Sequence, residues 1–347
     1  MRKFAVILLA LCLLLAGCGK DTAPQETTAG KTQLTVGIAF PGEPGSDWVM
    51  QGEALAQALT EAGFEVKQAY AEHDPQLQND QIEKLLVQGV DCLVIMAVDS
   101  LALTPSLDRA EETGVPVVAY QRLLMNTDAV DYYVAYDYPA AGRQIGEYIA
   151  QQKQLPTAGE EKREYTIEFL MGSPEDNSAL LLYHGVMSVL RPYLDSGVLV
   201  SRTGRVAFED TCIQNWSVSG AREYFWDHIY NAYANLTPDI ICTTGDMLAE
   251  GLCVGLEAAG YEAEKWPLVT GLGGDTDVTE RLEQGKQSMS LQGDPAALHA
   301  ACIQGLQALL ADQQPEINEE NCHNGAKTVA AWLCPMTSVQ KELSPEG

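Results

Sequence analysis

The sequence predicts an α/β protein built from two doubly wound parallel-sheet lobes, and three observations predict it. From Leu34 onward, short apolar runs alternate with longer stretches of helical periodicity. The runs are continuously apolar instead of alternating, as strands are when both faces are covered, and this predicts parallel sheets flanked by helices. Two such series follow one another, more than one compact sheet needs.

In order, the first series opens with a strand over Leu34 to Phe40 and a helix over Trp48 to Ala62. A strand at Glu65 to Tyr70 precedes a helix at Gln76 to Gln88; a strand at Cys92 to Val98 precedes a helix at Thr104 to Thr113; Val115 to Tyr120 is the next strand. Gly63, Gly89 and Gly114 stand just past helical stretches, where a residue free to take positive φ ends a helix. After Tyr132 to Asp137, the second series places strands at Tyr165 to Met171, Leu199 to Thr203, Asp239 to Thr244 and Pro267 to Leu272. Its helices fall near Ala140 to Gln152, Ala179 to Leu194, Val218 to Asn235 and Met247 to Ala259.

The first residues have a different character. Arg2 and Lys3 precede an apolar run from Phe4 to Leu15 and the small-residue string Leu15-Ala16-Gly17-Cys18. The run is short for a membrane span and reads as a signal peptide over 1–17. Leu-Ala-Gly-Cys fits a bacterial lipobox, in which Cys18 is diacylated and becomes the anchored N-terminus; an ordinary secretory signal with an incidental Cys18 is the alternative. Residues 18–32 read as a flexible tether. The formal net charge of -27 disfavours nucleic acid and anionic headgroups as partners. Of nine cysteines, Cys92, Cys242 and Cys302 fall inside apolar runs and none has the spacing of a zinc or redox site. A Cys322 to Cys334 disulfide is open to an exported chain.

In doubly wound sheets, ligands bind beyond the carboxyl ends of the strands. There the first series carries Asp47 and Trp48, then Asp99, then Gln121 and Arg122. The second carries Asp176, Asn177 and Ser178, then Trp216, then Asp246. Carboxylates and amides make fixed hydrogen bonds, a guanidinium offers a fork of donors, and an indole presents a flat apolar wall. A sugar demands that mixture, because its hydroxyls need bidentate partners while its C–H faces stack on rings. Asp99, Asp176 and Asp246 also stand where helix N-caps stand.

The segments Val118-Ala119-Tyr120-Gln121-Arg122-Leu123, Asp131 to Asp137, and Gly172-Ser173-Pro174-Glu175-Asp176-Asn177-Ser178-Ala179 running into Met187 to Gly197 give residues 34 to about 335 a family resemblance. The chain resembles type I periplasmic sugar-binding proteins, within them the xylose-binding and multiple-monosaccharide receptors. The resemblance implies a multi-strand hinge, of three strands, between lobes that close on a monosaccharide, a monomer, and delivery to an ABC permease or presentation to a sensor kinase or chemoreceptor. The implied partition is 33–136 plus 273–315 for the N-terminal lobe and 137–272 plus 316–345 for the C-terminal lobe. It carries binding roles to Trp48, Asp99, Arg122, Asp176, Trp216 and Asp246, with Asn177 beside them and Asp47, Gln121 and Ser178 as weaker members. The family's cation before the first Trp is Asp47 here, its Asp before Arg122 is Gln121, its second Asn is Ser178, its Gly-Gln-Asp turn is Gly271-Leu272-Gly273, and its hinge Lys is Gly293. Each charged hydrogen bond so lost is worth roughly 1.5 to 3 kcal/mol.

Catalytic and cofactor patterns are missing. Gly271-Leu272-Gly273-Gly274 lacks the third glycine of a dinucleotide loop at Thr276, and the calcium-like opening at Asp275 and Asp277 meets Lys286 where a glutamate would close it. No HExxH or Gly-x-Ser-x-Gly elbow occurs, so the expectation is a binding protein with no cofactor, no metal and no catalytic residue.

Overall fold

The computed structural model describes residues 33–340 apart from 45–46, 235, 263–264 and 274–276, and omits the side chains of residues 47, 48 and 51. The leader, Cys18, the tether and the 274–276 turn lie outside the described residues.

In chain order come β1 (Thr35–Phe40), α1 (Asp47–Glu61), β2 (Glu65–Tyr70), α2 (Pro75–Val87), β3 (Cys92–Ile95), α3 (Thr104–Thr113), β4 (Val117–Tyr120), β5 (Val130–Tyr136), α4 (Tyr138–Gln152), α5 (Leu155–Glu160), β6 (Tyr165–Leu170), α6 (Asn177–Asp195), β7 (Leu199–Val200) and α7 (Phe208–Thr211). Then follow α8 (Val218–Tyr224), α9 (Asn231–Tyr233), β8 (Ile240–Thr243), α10 (Asp246–Ala258), β9 (Leu268–Val269), α11 (Val278–Glu283), β10 (Met289–Gly293), α12 (Pro295–Leu310), β11 (Ala331–Cys334) and β12 (Met336–Gln340).

Two parallel sheets result, of order β11-β5-β4-β3-β1-β2 and β7-β6-β8-β9. Every residue of β1, β3 and β4 is buried, the physical content of their continuous apolar runs. Each sheet reverses strand order once, between β1 and β3 in the first and between β6 and β8 in the second, which opens a crevice beyond the carboxyl ends of those strands. Gly63, Gly89 and Gly114 have φ of 97°, 71° and 69°, so helix endings at these points rest on the left-handed region.

The chain passes between lobes three times. It leaves the first sheet after Tyr136, returns after Gly293 into α12, which packs on β4, β5 and β11, and departs again after Cys334. β10 and β12 form an antiparallel ribbon, with Gly293 opposite Met336. Leu291 N donates to Gly271 O (3.1 Å), tying that ribbon to the second sheet.

This routing differs from the expected partition. β11 pairs with β5 from Ala331–Tyr133 to Cys334–Tyr136, so 331–334 complete the first sheet; α11 and β10 instead serve the second lobe, where Arg281 donates to Gln287 Oε1 and Asp246 O. The expected single helix over Val218 to Asn235 is broken by a π-helical turn at Phe225–Tyr230. The extra residue widens the helix there and lets Tyr224, Phe225, Ile229 and Tyr233 all reach the core. All seven described cysteines carry free thiols, Cys322 and Cys334 included. Burial pushes the Cys242 and Cys302 thiols up to about 12.

Candidate functional site

β4 ends in a tight turn. Gln121 takes φ 62° and Arg122 N donates back to Tyr120 O (2.8 Å), which reverses the chain and swings the guanidinium across the sheet end. Arg122 Nη1 donates to the carbonyls of Ala97 (2.7 Å) and Val98 beyond β3, and Nη2 reaches Asp176 Oδ2 at 2.7 Å. This ion pair bridges the two lobes and is buried, with side chains 7% and 8% exposed.

Asp176 caps α6 and serves the cleft at the same time. Its Oδ1 accepts from Ser178 N (2.9 Å) and Oγ (2.6 Å), while Oδ2 accepts from Arg122 and from Trp216 Nε1 (3.2 Å). Burial works to raise its pKa, but the Arg122 charge and these hydrogen bonds prevail and hold the carboxyl below the usual range. Ser178 therefore serves the cap, and half-buried Asn177 opens the helix beside it. Glu175 is held low in the same way, against its burial, by Ser173 Oγ (2.6 Å) and Gln214 Nε2 (2.7 Å).

Trp216 reaches Asp176 only because of its seat. Asn215 and Trp216 both sit at φ 54°, and the indole lies on Gly172 at the end of β6, where a Cβ would overlap the ring; Gly245, beyond β8, lines the same seat. Two consecutive non-glycine residues in the left-handed region mark a backbone held in place by its surroundings.

Asp99 is half-buried and accepts from Leu101 N (2.7 Å). It does not cap α3, whose N-cap is Leu103, so the bend it holds is a local turn beyond β3. The next residue, Ser100, donates its N to Glu175 O (3.4 Å) across the cleft. Asp246 also escapes the capping role, since the cap of α10 is Gly245. Its carboxylate lies over Gly271 and accepts from Gln287 Nε2 (2.6 Å) and Ser290 Oγ (2.7 Å), which points it into the network of the second lobe.

The structure thus brings Arg122, Asp176, Ser178 and Trp216 into one joint, with Gln121 in the turn before Arg122, and ties Ser100, the residue after Asp99, to Glu175. Asp47 and Trp48 open α1, and their side chains lie outside the described residues. Residues overlooked in the sequence are Glu175, Gln287, Ser290 and the tyrosines beside the hinge, Tyr136 and Tyr138, which pack edge to face at 6.4 Å. A signal for Gln287 and Ser290 existed, because both interrupt an otherwise strand-like stretch with buried polar side chains. Among the described residues no group of histidine, cysteine or carboxylate side chains could hold a metal ion.

Comparison with known proteins agrees with this geometry. Residues 36–314 match the periplasmic binding protein domain. A multiple sugar-binding periplasmic receptor of Rhizobium radiobacter is 30% identical over 310 residues, covering 88% of this chain and 87% of the receptor. A solute-binding protein of an ABC transporter from Clostridium phytofermentans, solved with β-D-glucose bound, is 34% identical with a TM-score of 0.83, covering 88% of this chain and 94% of that one. A carbohydrate transporter solute-binding protein from Chloroflexus aurantiacus, in complex with D-glucose, is 25% identical with a TM-score of 0.77, covering 89% and 93%. Two sheets with facing switch points, three crossings and a match across most of the length have one reading: this chain belongs to the periplasmic binding protein family.

Proposed function

We propose that the chain is an extracytoplasmic, monomeric lipoprotein that closes its two lobes on a monosaccharide and delivers it to an ABC importer. The observation that carries this reading is the interlobe joint, in which Arg122, Asp176 and Trp216 meet through hydrogen bonds of 2.7 and 3.2 Å. It sets charged donors and acceptors beside an indole seated on glycine backbone, the combination that hydrogen-bonds hydroxyls and stacks on the C–H face of a pyranose. The relatives that bind sugars support the ligand class, and the Leu15-Ala16-Gly17-Cys18 string supports the anchor. No helix among the described residues is long and apolar enough to cross a membrane.

Isothermal titration of the full chain against D-glucose, D-xylose, D-galactose and L-arabinose tests the binding role. At least one sugar is expected to bind at micromolar Kd or tighter, and silence across the panel overturns the reading. In the same preparations, Cys18→Ser is expected to move the protein from the membrane fraction to the soluble one; retention on the membrane removes the lipid anchor.

A further inference from the structure

The second lobe holds the hinge strand β10 through one buried carboxylate. Asp246 opens α10 beyond the end of β8 and is 2% exposed. Its Oδ1 accepts from Gln287 Nε2 (2.6 Å) and its Oδ2 from Ser290 Oγ (2.7 Å), and both partners are buried. Gln287 is oriented by its other bonds: Oε1 accepts from Arg281 Nε (3.0 Å), and Nε2 also donates to Met289 O (3.0 Å). An amide whose oxygen is held by a guanidinium presents its nitrogen to the carboxylate. The Asp246 backbone is fastened too, its N donating to Leu272 O (2.8 Å) and its O accepting from Arg281 Nη2 (3.4 Å). Gly271 permits the approach, since a Cβ there would overlap both the carboxylate and the Gln287 amide.

Three segments therefore meet on Asp246: the corner between β8 and α10, the exit of β9 at 271–272, and β10. The corner is also a wall of the cleft, because Gly245, the residue before Asp246, seats the Trp216 indole. Backbone bonds lay β10 along β9 and its exit, from Ser288 N to Val269 O (2.7 Å), Leu291 N to Gly271 O (3.1 Å) and Gly273 N to Leu291 O (2.9 Å). Beyond Gly293 the same strand leaves for the first lobe at the second crossing. A buried polar network with its members paired in this way specifies one arrangement of the segments it joins.

We propose that Asp246 is a positioning residue and not a sugar contact: with Gln287, Ser290 and Arg281 it clamps the root of the hinge strand to the wall that carries Trp216. Movement at the second crossing then carries the indole with it as part of one body. The role rests on the reading of the chain as a monosaccharide receptor, in which a stacking ring must meet the sugar in a fixed place and gains from support behind it.

Ser290→Ala tests it by removing one arm of the clamp at a fully buried position. Hydrogen exchange at the amides of Ser288, Leu291 and Gly273 reads the clamp with no sugar present. Isothermal titration with D-glucose, D-xylose, D-galactose and L-arabinose, below the Tm of every variant, reads Kd and stoichiometry separately. Ser290→Ala is expected to exchange those amides about tenfold faster and to bind the sugar that the unmodified chain binds about fivefold more weakly, at unchanged stoichiometry. A purely structural loss would instead lower Tm and stoichiometry and leave Kd alone. Asp246→Ala is expected to weaken binding about tenfold, and its combination with Ser290→Ala no further, because the hydroxyl acts only through the carboxylate. Unaltered exchange in Ser290→Ala refutes the clamp, and an unaltered Kd refutes the positioning role; in both cases the sugar reading stands. Silence of the unmodified chain toward the whole panel overturns the sugar reading, and the positioning role with it.

Discussion

Arg122 and Asp176 form a buried ion pair between the lobes, and mutation reads its weight. Removing one member of a buried, hydrogen-bonded pair leaves the other charge unmatched, at about 3–5 kcal/mol. Arg122→Ala is therefore expected to lose sugar binding and lower Tm. Asp99→Ala, at a half-buried bend held by one hydrogen bond to Leu101 N, is expected to weaken binding with stability changed by less than about 1 kcal/mol. Acid adds a signature. The Asp176 carboxyl is depressed in the fold, so its contribution is full above the unfolded carboxylate pKa of about 3.9 and is lost as pH falls through its lower folded pKa. Asp176→Asn is expected to flatten the acid limb of the stability profile, as followed by thermal melts between pH 2 and 6; an unchanged limb removes the pair from that role.

At the scale of elements, the strand ends are shaped by what they leave out. Gly172 and Gly245 give Trp216 a backbone seat, and the indole nitrogen then reaches Asp176. Gly172→Ala is expected to expel the indole, altering tryptophan emission and weakening sugar binding tenfold or more; normal binding would show that the seat is dispensable. The strand ends were legible in the sequence where β3 and β4 lie in continuous apolar runs that stop at Asp99 and at Gln121-Arg122. Orientation was not legible. Asp246 reads as a ligand residue or a cap, and in the fold its carboxylate turns toward Gln287 and Ser290, about forty residues away. Gly293 reads as a missing side chain, whereas the fold shows Tyr136 in its place. Ala331 to Cys334 carries no local mark of its partner, since pairing with β5 depends on a register set across roughly two hundred residues.

For the whole molecule, the three crossings and the interlobe pair describe two bodies that meet at a cleft and share a hinge. Neither lobe is a continuous piece of chain: the first needs 331–334 to finish its sheet, and the second needs β10 and β12. A chain ending at Ala330 is expected to scatter light and aggregate at concentrations where the full chain stays clear, because β5 would be left as a bare sheet edge. Equal clarity of the two would show that β11 is expendable. The strand that seals that edge follows β5 by roughly two hundred residues, which build most of the second lobe, so the first sheet is completed by a long-range pairing that is slow to form beside the local pairings of β1 to β5.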